Sequence, residues 1–166
     1  MTTLLIDFNN LAVRNYCTKE IEFDTESPNI FLWKYLVCES IYKMLFKEDI
    51  TEIVLAVDDK KSWRKIYWER YKESRRNKRD TSKINWDIFH TEYRIFSDDI
   101  KKHLPFKLLL VENAEADDII GILARKDNKQ YIVVSNDEDY LQLISENVRL
   151  FNPSKGTFMD CEDPEM

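Results

Sequence analysis

Four short apolar runs punctuate the chain, and carboxylates follow each of them. Residues 3–8, 51–57, 106–111 and 130–135 are too short for core helices and read as buried strands. Longer segments between them carry the helical period. Residues 30–47 place apolar side chains at 32, 33, 36, 37, 41, 44 and 45; residues 85–104 place them at 86, 88, 89, 93, 95, 96 and 100. Both read as amphipathic helices, the first entered through Ser27-Pro28 and the second stopped by Pro105. The aromatics of the first are expected in the core. A helix through 11–16 follows the first strand, and one over 115–126, with Asn113 as its N-cap, follows the third. Asp137-Glu138-Asp139 opens a short helix through Ile144, and 148–151 with 157–159 reads as a terminal hairpin around Pro153-Ser154-Lys155-Gly156.

Alternating strands and helices predict an α/β fold with a mostly parallel central sheet and helices on both faces. Such sheets bind ligands at the carboxyl ends of their strands. Asp7, Asp58, Glu115, Asp117, Asp118, Asp137 and Asp139 would all lie at that edge. Taken singly, Asp7 reads best as a turn or N-cap residue, and Asp58-Asp59 as a turn. Glu115 and Asp118, three apart, share a helix face. Taken together, so many carboxylates need positive charge, from a helix dipole or a divalent cation. His90 and His103 are the only histidines, and Cys17, Cys38 and Cys161 are scattered. An all-oxygen donor set therefore points to magnesium or manganese.

Length and composition narrow the picture. At 166 residues, 43% hydrophobic, the chain has room for one domain with a real core, over 1–160, followed by a polar tail, 161–166. With two glycines it holds neither a P-loop nor a dinucleotide fingerprint. No apolar run is long enough to span a bilayer, no signal peptide is evident, and the cysteine usage fits a reduced cytoplasm. The net charge of −6 is unevenly spread. Residues 60–79 hold ten Lys/Arg against Glu69 and Glu73, a local +8 that leaves −14 elsewhere.

The chain is thus an acidic body with a basic arm, 60–83. Trp63, Tyr67, Trp68 and Tyr71 interleave with Lys and Arg, a pattern in which aromatic faces stack on bases and cations meet phosphates. Crowded like charges favour an external anion for the basic cluster. For Trp63 and Trp68, packing inward stands equally open.

Leu4-Leu5-Ile6-Asp7-Phe8-Asn9, Ala56-Val57-Asp58 with Trp63-Arg64, Tyr71-Lys72 with Arg75, Glu115-Ala116-Asp117-Asp118 and Ser135-Asn136-Asp137-Glu138-Asp139 occur in that order. Each is weak alone; five in register are specific. Together they resemble the 5′-nuclease superfamily of flap endonucleases, polymerase-linked 5′-nucleases and phage 5′→3′ exonucleases. The branch most similar is the phage ribonuclease H of the T-even type, to which the stretch at 61–64, Asn85-Trp86-Asp87 and Asn152-Pro153 also correspond. The resemblance implies hydrolysis of phosphodiesters at the 5′ ends of RNA–DNA or DNA flaps, as in primer removal during phage DNA replication. It implies two Mg2+ ions, replaceable by Mn2+: Asp7, Asp58, Glu115, Asp117 and Asp118 at the first, Asp137 and Asp139 at or near the second. It makes the arm a helical arch in which Lys72 and Arg75 contact the scissile phosphate as catalytic residues. Arg64, Lys65, Arg70, Tyr71, Arg76, Lys78 and Arg79 would bind nucleic acid. The implied setting is a monomer in the cytoplasm, that of the host if phage-encoded, on flap or RNA-primed DNA, with a replication clamp or single-strand-binding protein as partner and no membrane. Family members continue into a helix–three-turn–helix region with further aspartates, which this sequence lacks. A non-cleaving module for branched nucleic acid, or a PIN-type endoribonuclease without an arch, would carry a similar acidic pocket.

Overall fold

The computed structural model describes residues 1–18, 28–46, 49–74, 79, 81–82, 84–126 and 129–159. Among them the order is β1 (Thr2–Asp7), α1 (Phe8–Tyr16), α2 (Ile30–Leu45), β2 (Ile50–Val57), α3 (Trp63–Tyr67), α4 (Trp86–His103), β3 (Lys107–Leu110), α5 (Ala116–Ala124), β4 (Gln130–Val134), a 3-10 turn (Glu138–Leu143), β5 (Val148–Asn152) and β6 (Thr157–Met159). One sheet carries all six strands in the order β3-β2-β1-β4-β5-β6. The first five pair in parallel, and β6 returns antiparallel to β5 as the hairpin. The chain switches direction across the sheet at β1, whose neighbours are β2 and β4. A crevice opens outside the strand ends at such a point.

The alternation along each strand sorts the core into two layers. On one face Leu4, Ile6, Leu55 and Ile132 pack against α1, α2 and α4 through Phe8, Trp33, Phe89 and Phe96. On the other, Leu5, Ala56, Val133 and Leu150 pack against α5 through Ile119 and Ile120, and against Tyr140. Helices therefore cover both faces, as the sequence pattern indicates. Trp33 anchors the larger layer. It is fully buried, and its Nε1 donates to the Ala12 carbonyl at 2.9 Å.

Several local expectations are corrected. The cap of α2 is Asn29, whose side chain accepts from the Leu32 amide, so Pro28 precedes the helix; Ser27 lies outside the described residues. Helix α1 starts at Phe8 rather than Leu11, with Asp7 as its cap. The cap of α5 is Glu115, not Asn113, which occupies a left-handed turn at φ 61°. Within α2 the aromatics are not all core. Trp33 is, but Phe31, Tyr35, Tyr42 and the adjoining Phe46 are exposed. In the arm the described helix is short, Trp63–Tyr67, with no buried residue, and turns follow it. Trp63 and Trp68 do not pack inward; they are 44% and 60% exposed.

Replacing Trp33 with Ala is expected to cost about 3–5 kcal/mol, measured by denaturant unfolding. Trp33→Phe keeps most of the volume but removes the indole donor to the Ala12 carbonyl, and is expected to cost about 0.5–1.5 kcal/mol.

Candidate metal centre

Register brings the acids together. Asp7 ends β1 opposite Ala56, two residues before Asp58, and Ile6 pairs with Val134, three before Asp137. Asp58 and Asp137 thus flank Asp7 on neighbouring strands. The acidic start of α5 completes the rim. Asp58 Oδ1 accepts from the Ala116 amide at 2.8 Å, tying the second strand's carboxylate to the first turn of α5. Asp118 closes back on the helix, its Oδ2 accepting from the Glu115 amide at 3.0 Å. This capping box satisfies amides that a helix start leaves unpaired.

Asp7 is both cap and site residue. Its Oδ1 accepts from the Asn10 amide at 2.9 Å and its Oδ2 from the Tyr140 hydroxyl at 3.2 Å. Some solvent still reaches it, but it stands deep enough that burial raises its pKa to about 7, with Asp58 and Asp137 adding repulsion against the lowering effect of its two donors. Asn9 braces the pair. Its Oδ1 accepts from the Asp58 amide at 3.0 Å and from the Tyr93 hydroxyl at 2.8 Å.

The outer acids are held by the arm. The Arg64 guanidinium forks onto Asp118, with bonds of 2.7 and 3.0 Å, and reaches Asp117 at 3.3 Å and Glu115 at 3.4 Å. The Trp63 indole donates to Asp118 Oδ2 at 3.1 Å. Glu115, only 4% exposed, accepts from the Tyr71 hydroxyl at 2.9 Å and from Lys72 Nζ at 3.1 Å. Burial pushes Asp118 up, but the bonds from Arg64, the Glu115 amide and the Trp63 indole together outweigh it and its pKa falls; for Asp117 burial prevails over Arg64 and the pKa rises. Burial and the bond to Glu115 raise the Tyr71 hydroxyl.

The remaining sites separate. Asp139 is exposed, and its amide donates to Asp137 Oδ1 at 3.1 Å. Lys65 reaches the Lys60 carbonyl at 3.1 Å, away from the acids, and Arg70 is exposed. Arg79 lies over the Trp86 ring, 4.9 Å from its centroid. Arg75, Arg76 and Lys78 lie outside the described residues. Sequence reasoning overlooked Asn9, Tyr93 and Tyr140 as braces; apolar periodicity counts tyrosine as core and is blind to where its hydroxyl points.

A hard divalent cation suits this donor chemistry. Asp7, Asp58, Asp137, Glu115, Asp117 and Asp118 contribute six carboxylates, and among the described residues Arg64 and Lys72 offset them through ion pairs on the outer three. Around Asp7 burial raises the pKa, and the nearby charges of Asp58 and Asp137 add to the rise. Among the described residues no three acidic side chains stand in a chelating arrangement; Arg64 and Lys72 pair with the outer acids, and the Ala116 amide donates to Asp58.

The chain is similar to several known proteins. Residues 2–165 match the model of the 5′-3′ exonuclease N-terminal, resolvase-like domain. Ribonuclease H of Enterobacteria phage T4 is 30% identical over 160 residues, covering 90% of this chain and 51% of that protein. The flap endonuclease Xni of Shewanella denitrificans is 30% identical over 171 residues, covering 99% and 61%. The T5 D15 protein co-crystallised with metal ions superposes with a TM-score of 0.73 at 17% identity, over 98% of this chain and 58% of that one. The D155K form of the T5 D15 flap endonuclease, in a complex with DNA and metal ions, gives 0.68 at 15%, over 95% and 57%. The chain therefore spans about half the length of the T4 relative it matches.

The raised pKa of Asp7 sets a sign. Its native state favours the protonated form, so without metal the penalty is absent below pH 4, grows as pH rises, and is complete above pH 7, reaching at most about 4 kcal/mol. Asp7→Asn keeps a competent cap. In EDTA its denaturant stability is expected to exceed that of the unsubstituted chain by about 2–4 kcal/mol at pH 8 and to converge with it at pH 4. A variant less stable at pH 8 contradicts this account.

Proposed function

Because the chain belongs to the 5′-3′ exonuclease family through its N-terminal, resolvase-like domain, we propose that it is a divalent-metal-dependent nuclease acting on phosphodiesters at 5′ ends, on DNA flaps or RNA-primed DNA. The observation that carries this reading is the junction of acidic edge and arm, where Arg64 and Lys72 meet Glu115, Asp117 and Asp118. In this reading Asp7, Asp58, Glu115, Asp117 and Asp118 hold one ion and Asp137 and Asp139 stand at or near a second, with Mg2+ as the resident cation and Mn2+ as its substitute. Such ions supply a water activated at neutral pH and neutralise charge on the leaving oxygen.

The protein's own groups position the strand. Lys72 and Arg75 would bring positive charge to the scissile phosphate. Trp63, Tyr67 and Trp68, all exposed on the arm, offer faces on which unpaired bases stack. Arg70, Lys65, Arg76, Lys78 and Arg79 would follow the backbone, and Tyr71 sets Glu115. Primer removal during phage replication in the host cytoplasm, alongside a clamp or single-strand-binding protein, is the setting this reading fits.

A second reading rests on one observation: among the described residues no three acids stand ready to chelate. In it the domain binds branched nucleic acid without cutting.

Cleavage of a 5′-labelled flap duplex in Mg2+, then Mn2+, separates the two. The unsubstituted chain is expected to cut, and Asp58→Asn to cut at least ~100-fold more slowly while still binding. Equal cleavage by both proteins overturns the assignment of Asp58; salt-sensitive binding without cleavage by either supports the second reading. Trp68→Ala is expected to weaken single-strand binding about 5- to 100-fold in a filter-binding assay.

A further inference from the structure

The 3-10 turn after β4 brings two groups to the acidic edge. Asp137 is its N-cap, and Tyr140 follows three residues later, its amide donating to the Asp137 carbonyl at 3.3 Å. A 3-10 turn repeats every three residues, so a single turn of backbone separates the two. The turn is tied down on both sides. The Asn136 amide donates to Asn10 Oδ1 at 3.4 Å, and Asn136 Oδ1 accepts from the Ser154 amide at 3.2 Å. The Tyr140 ring is 3% exposed and packs in the layer of Leu5, Val133 and Leu150.

A buried phenol needs an acceptor, and a nearby backbone carbonyl would serve. This one reaches a carboxylate instead: its hydroxyl donates to Asp7 Oδ2 at 3.2 Å. Burial, and after it the charges of Asp7, Asp117 and Asp58, push the hydroxyl's pKa well up, so it keeps its proton and stays a donor. Asp7 is thereby gripped from the two faces of the sheet. Helix α1 holds Oδ1 through the Asn10 amide, and the turn holds Oδ2 through Tyr140. An ionised carboxylate has about four acceptor positions, so with two in use both oxygens are fixed and both can still accept.

We propose that Tyr140 is a positioning residue of the metal centre, its hydroxyl setting the Asp7 carboxylate in the orientation in which it takes a divalent cation. The inference rests on the reading of the acidic edge as a cation site, and adds to that site a residue outside the carboxylate set. Tyr140 acts through Asp7 and is not itself a ligand. A carboxylate free at Oδ2 turns about its Cβ–Cγ bond and must be ordered afresh by each arriving ion. The hydrogen bond makes that ordering part of folding rather than of binding. Loss of such a partner typically lowers metal affinity about 10- to 100-fold.

Mn2+ titration of the full chain at neutral pH, followed by electron paramagnetic resonance, tests the proposal with Tyr140→Phe, which keeps the ring and removes one oxygen. Mn2+ affinity is expected to fall about 10- to 100-fold, in a variant that circular dichroism shows to be folded at the assay temperature without metal. At one fixed Mn2+ concentration its Tm is expected to rise less than the parent's. Tyr16→Phe is the matched control. Tyr16 is 2% exposed in the other core layer, and its hydroxyl donates to the Asn85 carbonyl at 3.3 Å. That variant is expected to bind Mn2+ within about twofold of the parent. In an Asp7→Asn background Tyr140→Phe is expected to cost less affinity than in the parent, because the carboxylate it orients is gone. Equal costs in the two backgrounds overturn the proposal. So does equal weakening by Tyr16→Phe, which traces the loss to a loosened core. A Tyr140→Phe affinity within about twofold of a parent that binds Mn2+ overturns it too and leaves the metal centre standing. A parent that binds no Mn2+ overturns the metal centre itself, and the role of Tyr140 with it.

Discussion

Mutual repulsion among carboxylates gathered at one end of a parallel sheet is the constraint around which the rest of this molecule is arranged. Strands β1, β2 and β4 run side by side, so Asp7, Asp58 and Asp137 arrive at the same edge, and α5 adds Glu115, Asp117 and Asp118. Three kinds of group hold them there. Backbone amides of Asn10, Ala116 and Glu115 donate to Asp7, Asp58 and Asp118. The Tyr140 and Tyr71 hydroxyls donate to Asp7 and Glu115. Arg64 and Lys72 partly neutralise the outer three. Only the last kind cancels charge, and among the described residues it does not extend to Asp7, whose pKa burial and the charges of Asp58 and Asp137 raise. The inner end of the cluster is where a divalent ion would relieve the most unfavourable energy.

The arm belongs to this arrangement rather than hanging beside it. Its first turn is fixed to the α5 entry, since the Trp63 amide donates to the Asn113 carbonyl at 2.8 Å and the Asn113 amide to Asp59 Oδ2 at 2.6 Å. Asn113 and Lys72 both adopt left-handed backbone, with φ of 61° and 57°. That conformation costs a side-chain-bearing residue about 1–2 kcal/mol, more for Lys than for Asn, and persists where surrounding contacts hold it. At residue 72 the contact is the ion pair with Glu115. Such a geometry couples the arm's position to the charge state of the acids it touches.

The scaffold was legible in the sequence because it rests on local periodicity. The four parallel strands first read from apolar runs, and the helices over 30–47, 85–104 and 115–126, all form, within a few residues of their expected ends. Errors gathered where local chemistry competes. Asn113 has the composition of a cap but takes the left-handed turn before it, and Glu115 caps through a box that Asp118 completes. The convergence of the acids was inferable from strand-end positions alone. Arg64 was harder. Sequence sees a cation in a basic run and assigns it to phosphate, whereas the fold sets it against acids more than fifty residues away. The braces Asn9, Tyr93 and Tyr140 depend on side-chain direction, which periodicity does not encode. The outer face of α2 was read as core because nothing in a single sequence distinguishes an aromatic buried in its own domain from one left on its surface.

The most direct test of the account is the number of divalent ions the chain binds, read by Mn2+ electron paramagnetic resonance with Trp63 fluorescence followed in parallel. Saturable binding that shifts Trp63 emission, is displaced by Mg2+ and is weakened by Asp7→Asn is the predicted result, since the indole touches Asp118 and the ion would compete with Arg64 for the same acids. Failure of Mn2+ to bind at neutral pH, or binding indifferent to Asp7, would contradict the claim that this acidic edge exists to hold a cation.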